Sequence, residues 1–260
     1  MLELRGVSAG YSGQPVIHAI DLTVAPGEIV TLVGANGAGK STLVKSISGI
    51  LRPMAGEILF AGKRVETLSA AARVRLGIVH VPEGRQVFSG MTVGDNLRLG
   101  SYATHRDRDE MQDKILEVCE RFPILLERMN DVVANFSGGQ QQMLALARGL
   151  MASPRLLILD EPSLGLSTVL VTEVFRLVAG LRESGLAILL SEQNAKSSLA
   201  IADRGYVIEN GTVVLSGKAS DLASSADIAA RYLGVGAAAG KDDADTARFA
   251  RLRQLIAGDE

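Results

Sequence analysis

The stretch Gly34-Ala35-Asn36-Gly37-Ala38-Gly39-Lys40-Ser41 constrains this chain more than any other, because of what stands on either side of it. Residues 28–34 read EIVTLVG, an apolar run of strand character, and STLVKSISG after it has the pattern of a helix that Gly49 closes. A strand that turns through glycines straight into a helix begins a βα unit, and such units build sheets with helices on their faces. The rest of the chain agrees. Residues 2–7, 16–24, 57–60 and 77–81 read as strands, with Ile20, Leu22 and Val24 alternating in the second. The apolar runs 156–159 and 186–190 suit strands buried on both faces of a parallel sheet, and helical patterns at 168–182 and 194–201 alternate with them. The fold class expected is therefore α/β.

The middle, roughly 92–150, turns helical, and a helix over 107–129 places Ile115, Val118, Cys119, Phe122 and Leu126 at helical spacing. A chain of 260 residues has room for one large domain with a subdomain inserted. After Tyr232 comes GVGAAAGKDDAD, a linker of small and acidic residues. The short amphipathic helix expected beyond it carries Phe249, Leu252 and Ile256 on one face. Lys plus Arg total 27 against 29 Asp plus Glu, so no basic excess exists to hold a nucleic-acid backbone. The single cysteine, Cys119, cannot form an internal disulfide and reads as a small buried apolar residue. His18 and His80 fall in strands and His105 in a polar stretch, each without a second ligand nearby, so they read as packing or surface residues. The opening MLELRGVSAG lacks a charged-then-apolar leader, and no apolar run approaches the roughly 18 residues of a spanning helix. If the chain works at a membrane, other chains must cross it.

The glycines of the 34–41 loop let the backbone curl its N–H groups inward, and the following helix adds its positive dipole end, an arrangement suited to phosphate oxygens. Lys40 brings a compact charge to β- and γ-phosphates and Ser41 a hydroxyl for Mg²⁺, and the nucleotide assignment runs on through Thr42. A second motif, the apolar run Leu156-Leu-Ile-Leu159 followed by Asp160 and Glu161, delivers two carboxylates at a strand's C-terminal end, where open α/β sheets bind ligands. Alternate strand residues point differently. Asp160 is assigned to the Mg²⁺ shell, and Glu161 to accepting a proton from, or orienting, the water that attacks the γ-phosphorus. Between the two lies Phe136-Ser137-Gly138-Gly139-Gln140 at a helix start, a second anion-binding surface. One nucleotide does not need two such cradles within one chain.

In this order the three motifs resemble ABC-transporter ATPase domains over roughly residues 1–233. The resemblance implies a P-loop NTPase core of ABC ATPase type with an antiparallel β subdomain and a helical subdomain inserted at about 90–150, leaving 234–260 as linker and short helix. It implies ATP and Mg²⁺ held between two domains arranged head to tail. Ser137 and Gly139, with Gly138 and Gln140, would then meet the nucleotide bound on the partner. Tyr11, in GYSGQPVIHAI, matches the aromatic that stacks on adenine. The segment VPEGRQVF occupies the family's glutamine loop with Glu83 where most members have Gln, and Glu83 joins Ser41 and Asp160 as an expected Mg²⁺ contact. Gln193, in LSEQN, stands at the switch-histidine position, so Lys40, Glu161 and Gln193 form the implied catalytic set. The loop from Ser163 to Ser167 ends in Ser where many relatives have Asp.

Together PEGRxVF, EPSLGL and EQN look like the second ATPase of branched-chain amino-acid importers. That branch implies a second ATPase subunit and two transmembrane permeases as partners, a periplasmic binding protein acting indirectly, and a place at the cytoplasmic face of the inner membrane. Relatives for urea and short amides share these features. Arg85, Gln86 and Phe88 are expected to be exposed where relatives receive the permease's coupling helix. Two other readings compete. An ABC ATPase remodelling nucleic acid or ribosomes usually carries two cassettes, long insertions or zinc-binding cysteines, which this sequence lacks. A nucleotide-dependent clamp with weak hydrolysis is motivated by Glu83, Gln193 and Ser167.

Overall fold

A computed structural model of the chain describes residues 1–104 and 107–225. Strands β1 (Leu2–Tyr11), β2 (Gln14–Val24) and β3 (Ile29–Val33) lead into helix α1 (Lys40–Ser48). Next come β4 (Ala55–Phe60), the short β5 (Lys63–Arg64), α2 (Ala70–Leu76) and β6 (Ile78–Val81). The middle is helical, with α3 (Val93–Gly100), α4 (Arg108–Arg121), α5 (Pro123–Glu127) and α6 (Gly138–Leu150). The α/β pattern resumes with β7 (Leu156–Asp160), α7 (Thr168–Leu181), β8 (Ala187–Glu192) and α8 (Ala195–Ile201). It ends in the hairpin β9 (Arg204–Glu209) and β10 (Thr212–Lys218), followed by α9 (Ala219–Ser224).

Two sheets form. One is antiparallel, in the order β2-β1-β4-β5; the other runs β10-β9-β3-β8-β7-β6, parallel except for β10 at its edge. The period of two along each central strand divides its residues between two cores. Val30, Leu32, Ile78, Leu156, Ile158 and Leu189 face α1 and the antiparallel sheet. Ile29, Val79, Val81, Leu157, Leu159, Ile188 and Leu190 face α6, α7 and the helical middle. Each of these side chains contributes about 1.5 to 3 kcal/mol by leaving water, which explains runs with no polar alternation.

The expected single helix over 107–129 is two. Residues preceding a proline are pushed out of the α region, and Phe122, before Pro123, has φ −133° and ψ 66°. The break resets the helical phase. Leu125 is consequently buried and Leu126 stands 48% exposed, reversing the face on which the spacing set Leu126. Asp107 accepts a hydrogen bond from Glu110 N and caps α4, so the charged stretch there is a helix start. Five elements lie outside the expected pattern: α2, β5, β9, β10 and α9. Helix α2 plants Arg73, almost wholly buried, beneath the end of α1, where its Nη1 donates to the Ser46 and Ile47 carbonyls at 2.6 and 2.7 Å. Those carbonyls belong to the last turn of α1, which has no intrahelical donors left for them. His105 and the stretch 234–260, with its expected helix, lie outside the described residues.

Candidate functional site

The turn after β3 is shaped by its glycines. Gly39, at the N-cap of α1, has φ 108°, and a Cβ there would stand 2.7 Å from the Ile17 side chain of β2. A side chain at 39 would therefore push the loop off the sheet. The curl turns the first residues of α1 toward the C-terminal ends of β7 and β8. There, a cavity of about 320 Å³ is lined by residues 35–42 together with Val16, Glu83, Glu161, Leu164 and Gln193. Four segments assigned separately from the sequence, the loop 35–42, Glu83, Glu161 and Gln193, thus share one space.

The two acids at the end of β7 part company, Glu161 lining the cavity and Asp160 meeting it through Ser41. Asp160 accepts a hydrogen bond from Ser41 Oγ at 3.2 Å. Glu161, with the uncommon φ of 48°, turns its carboxylate the other way. Its Oε1 lies 3.1 Å from Lys40 Nζ, and its Oε2 accepts from Gln193 N at 3.1 Å. Lys40, itself buried, also donates to the carbonyls of Gly34 at 2.8 Å and Ala35 at 3.3 Å. A buried ammonium and carboxylate so paired fix each other's position.

Tyr11 stands 48% exposed at the end of β1 and is not among the cavity's lining residues; Val16 of β2 is. The stretch 137–140 is also apart from the cavity. Ser137 caps α6 and Gln140 returns the contact, its Oε1 accepting from Ser137 N, so the motif is a capping box at the start of a 13-residue helix. Behind Glu83 the backbone of Gly84, Arg85 and Gln86 is left-handed at all three residues. This bend lays the Arg85 guanidinium over Gly138, 2.9 Å from where a Cβ would stand. Arg85 is thus half-buried rather than exposed as expected, while Gln86 and Phe88 are exposed. The Arg148 guanidinium lies 5.4 Å from the centre of the Phe88 ring, beside a groove of about 620 Å³ that also takes in Val81, Gln86, Leu99 and Tyr102.

One residue of the neighbourhood escaped the sequence. Glu192, fully buried at the end of β8, accepts hydrogen bonds from Ser163 N and Ser163 Oγ, both at 3.0 Å. Burial raises its pKa to about 7, against the lowering effect of the Ser163 hydroxyl and with a further rise from the Glu161 charge. His80 is the opposite case: burial lowers its pKa to about 4, and neither ring nitrogen has a hydrogen-bond partner. Among the described residues no group of three or more His, Cys, Asp and Glu is placed to hold a metal ion unaided.

A family model described as ABC transporter matches residues 17–164. The chain is 42% identical over 234 residues to the high-affinity branched-chain amino acid transport ATP-binding protein BraG of Pseudomonas aeruginosa, covering 90% of this chain and all of that one. It is 32% identical over 239 residues to the lipopolysaccharide export system ATP-binding protein LptB of Escherichia coli, covering 90% and 97%. Among solved structures it resembles an ATP-binding cassette of an ABC transporter in its ADP conformation, with a TM-score of 0.81, 25% identity, and 90% and 98% of the two chains covered.

Proposed function

The chain belongs to the ABC transporter family and is one of its ATPases, and from that premise we propose that it is the ATP-hydrolysing subunit of a branched-chain amino-acid importer. The observation that carries the hydrolytic role is the single cavity shared by residues 35–42, Glu83, Glu161 and Gln193. Phosphates of ATP lie along the loop amides and take the place of the Gly34 and Ala35 carbonyls as partners of Lys40. Glu161, held through both oxygens, accepts the proton of the water attacking the γ-phosphorus. Gln193 offers a carboxamide that senses the γ-phosphate without titrating. This anchored carboxylate favours a motor over a weakly hydrolysing clamp.

Ser41 and Asp160 place a hydroxyl and a carboxylate oxygen 3.2 Å apart, and Glu83 lines the same cavity, so the donor set is all oxygen. That fits a hard cation such as Mg²⁺, with phosphate oxygens and water completing its shell. Bound there, Mg²⁺ neutralises charge on the β- and γ-phosphates. Residues 137–140 sit outside the cavity and serve the nucleotide of a second ATPase subunit, and Tyr11 stacks on adenine. The groove beside Phe88 receives the coupling helix of one membrane permease, the paired ATPase subunit serves the second, a periplasmic binding protein supplies both, and this sets the chain at the cytoplasmic face of the inner membrane. In keeping with that arrangement, no helix among the described residues is long and apolar enough to cross a membrane. The ATPase domain is assigned to 1–233, and 234–260, which lie outside the described residues, are assigned to tuning assembly.

The substrate follows from likeness to BraG, at 42% identity, over likeness to LptB, at 32%, whose name says export. Uptake of radiolabelled leucine and of urea by cells lacking this chain decides it. The expected result is loss of leucine uptake alone, restored by the chain, together with cross-linking of a cysteine at position 86 to a permease loop. Loss of urea uptake moves the chain to the amide branch, and unchanged uptake of both overturns the importer reading.

A further inference from the structure

The ends of β7 and β8 are laced together twice. Glu161 N donates to Ser191 O at 2.8 Å, and Gln193 N donates to Glu161 Oε2 at 3.1 Å; both contacts involve Glu161, the first through its backbone amide and the second through its carboxylate. The second lacing is Glu192 to Ser163, between residues 29 apart in the chain, and hydrolysis as derived above does not use it. Ser163 begins the turn that runs to Ser167, the N-cap of α7. Within that turn Leu164 N donates back to Glu161 O at 3.1 Å and Leu166 N to Ser163 O at 3.2 Å. Leu164 lines the nucleotide cavity beside Gln193.

A glutamate with no exposed surface needs a reason to stay there, since an apolar residue would avoid its desolvation. The reason visible here is its donors. Both Ser163 hydrogen bonds and the Asn194 amide converge on one carboxylate, and it is through this carboxylate that Ser163 is tied to β8. The residue directly after Glu192 is Gln193. We propose that Glu192 is a positioning residue: its carboxylate fastens the turn 163–167 to the strand end that presents Gln193, so that the turn and the γ-phosphate side of the cavity move as one body. Glu192 is not among the residues that line the cavity. It acts through Ser163 on one side and through its own backbone on the other. The charged group it faces is Glu161, whose partner is Lys40. The inference rests on the ATPase activity and needs no particular transported substrate.

Steady-state ATP hydrolysis by the full chain, with ATP binding measured in parallel, tests it. Glu192→Ala is expected to lower kcat about 30-fold while KM for ATP stays within about threefold, because the turn loosens after binding. Glu192→Gln is expected to recover to within about threefold of the parent, since its carboxamide accepts from Ser163 N and donates to Ser163 Oγ. Ser163→Ala alone is expected to lower kcat about fivefold and to add little in the Glu192→Ala background, the mark of one shared interaction. Unchanged kcat in Glu192→Ala, or a loss carried by KM, overturns the proposal. Glu192→Gln as slow as Glu161→Gln also overturns it, by assigning Glu192 a proton-transfer role. If Glu192→Ala does not fold, Glu192→Gln and Ser163→Ala decide: a parent-like kcat in Ser163→Ala, or a Gln variant that is not rescued, sinks the proposal. Glu161→Gln run alongside keeps a failure of the ATPase assignment separate.

Discussion

Glu161 and Glu192 stand at the ends of adjacent strands within one network, yet their surroundings give them different chemistry. Glu161 has a buried ammonium 3.1 Å away, whereas Glu192 has only hydroxyl and amide donors and is pushed up to about 7 by burial. The unfolded chain releases the Glu192 proton near 4.5 and the folded chain near 7, so the stability this group contributes is complete below 4.5 and lost as pH rises through 7. His80 runs the other way. Its pKa falls from 6.5 to about 4, so its contribution is present above 6.5 and lost as pH falls through 4. Between 4.5 and 6.5 the two oppose, and comparison with Glu192→Gln removes the histidine from the difference. The variant is expected to gain on the parent as pH rises from 5 to 8, by up to about 3 kcal/mol in urea unfolding. A difference that stays constant with pH contradicts the assignment.

Elements were legible where the signal was local. Strand, glycine turn and helix over 28–49 lie within one reach of chain, and β3, the turn and α1 form as the pattern says. The helix over 107–129 was misjudged because spacing alone ignores what Pro123 does to Phe122. The hairpin β9–β10 carried a signal that went unread. Asn210-Gly211, with φ 46° and 77°, is a dipeptide suited to a tight turn between alternating strands. Helix α2 carries one as well, Ser69 at its N-cap and Gly77 at its C-cap around AAARVRL, but nothing local shows why its arginine is buried. Arg73 is explained only by the carbonyls of α1 that it meets, 26 and 27 residues earlier in the chain. Burial pulls its pKa down, and it remains a cation fixed by backbone oxygens. Arg73→Met keeps the volume but strands those oxygens, and is expected to cost about 2 to 4 kcal/mol in chemical denaturation. A loss below about 0.5 kcal/mol would show that water replaces the guanidinium there.

For the whole molecule, the sequence held the parts of the site but not their joints. Lys40, Glu161 and Gln193, which share the cavity, and Asp160, which meets it through Ser41, are all named from motifs, and their convergence follows from strand ends on one edge of a parallel sheet. Their division of labour, Asp160 to Ser41 and Glu161 to Lys40 and Gln193, depends on the left-handed backbone at Glu161, which no pattern encodes. Glu192 was missed for a related reason: its partner Ser163 lies 29 residues away and neither residue is unusual by itself. The separation of 137–140 from the cavity belongs to the same scale, and under the proposed function those residues serve the nucleotide of a second subunit. The central claim is that this cavity binds ATP and that Glu161 drives its hydrolysis. ATP binding and turnover measured together on Glu161→Gln test it most directly. Affinity close to the parent's with turnover slowed about 100-fold or more is the result expected of a carboxamide that cannot accept the proton. Turnover within about twofold of the parent's would place the chemistry on another residue and contradict the account.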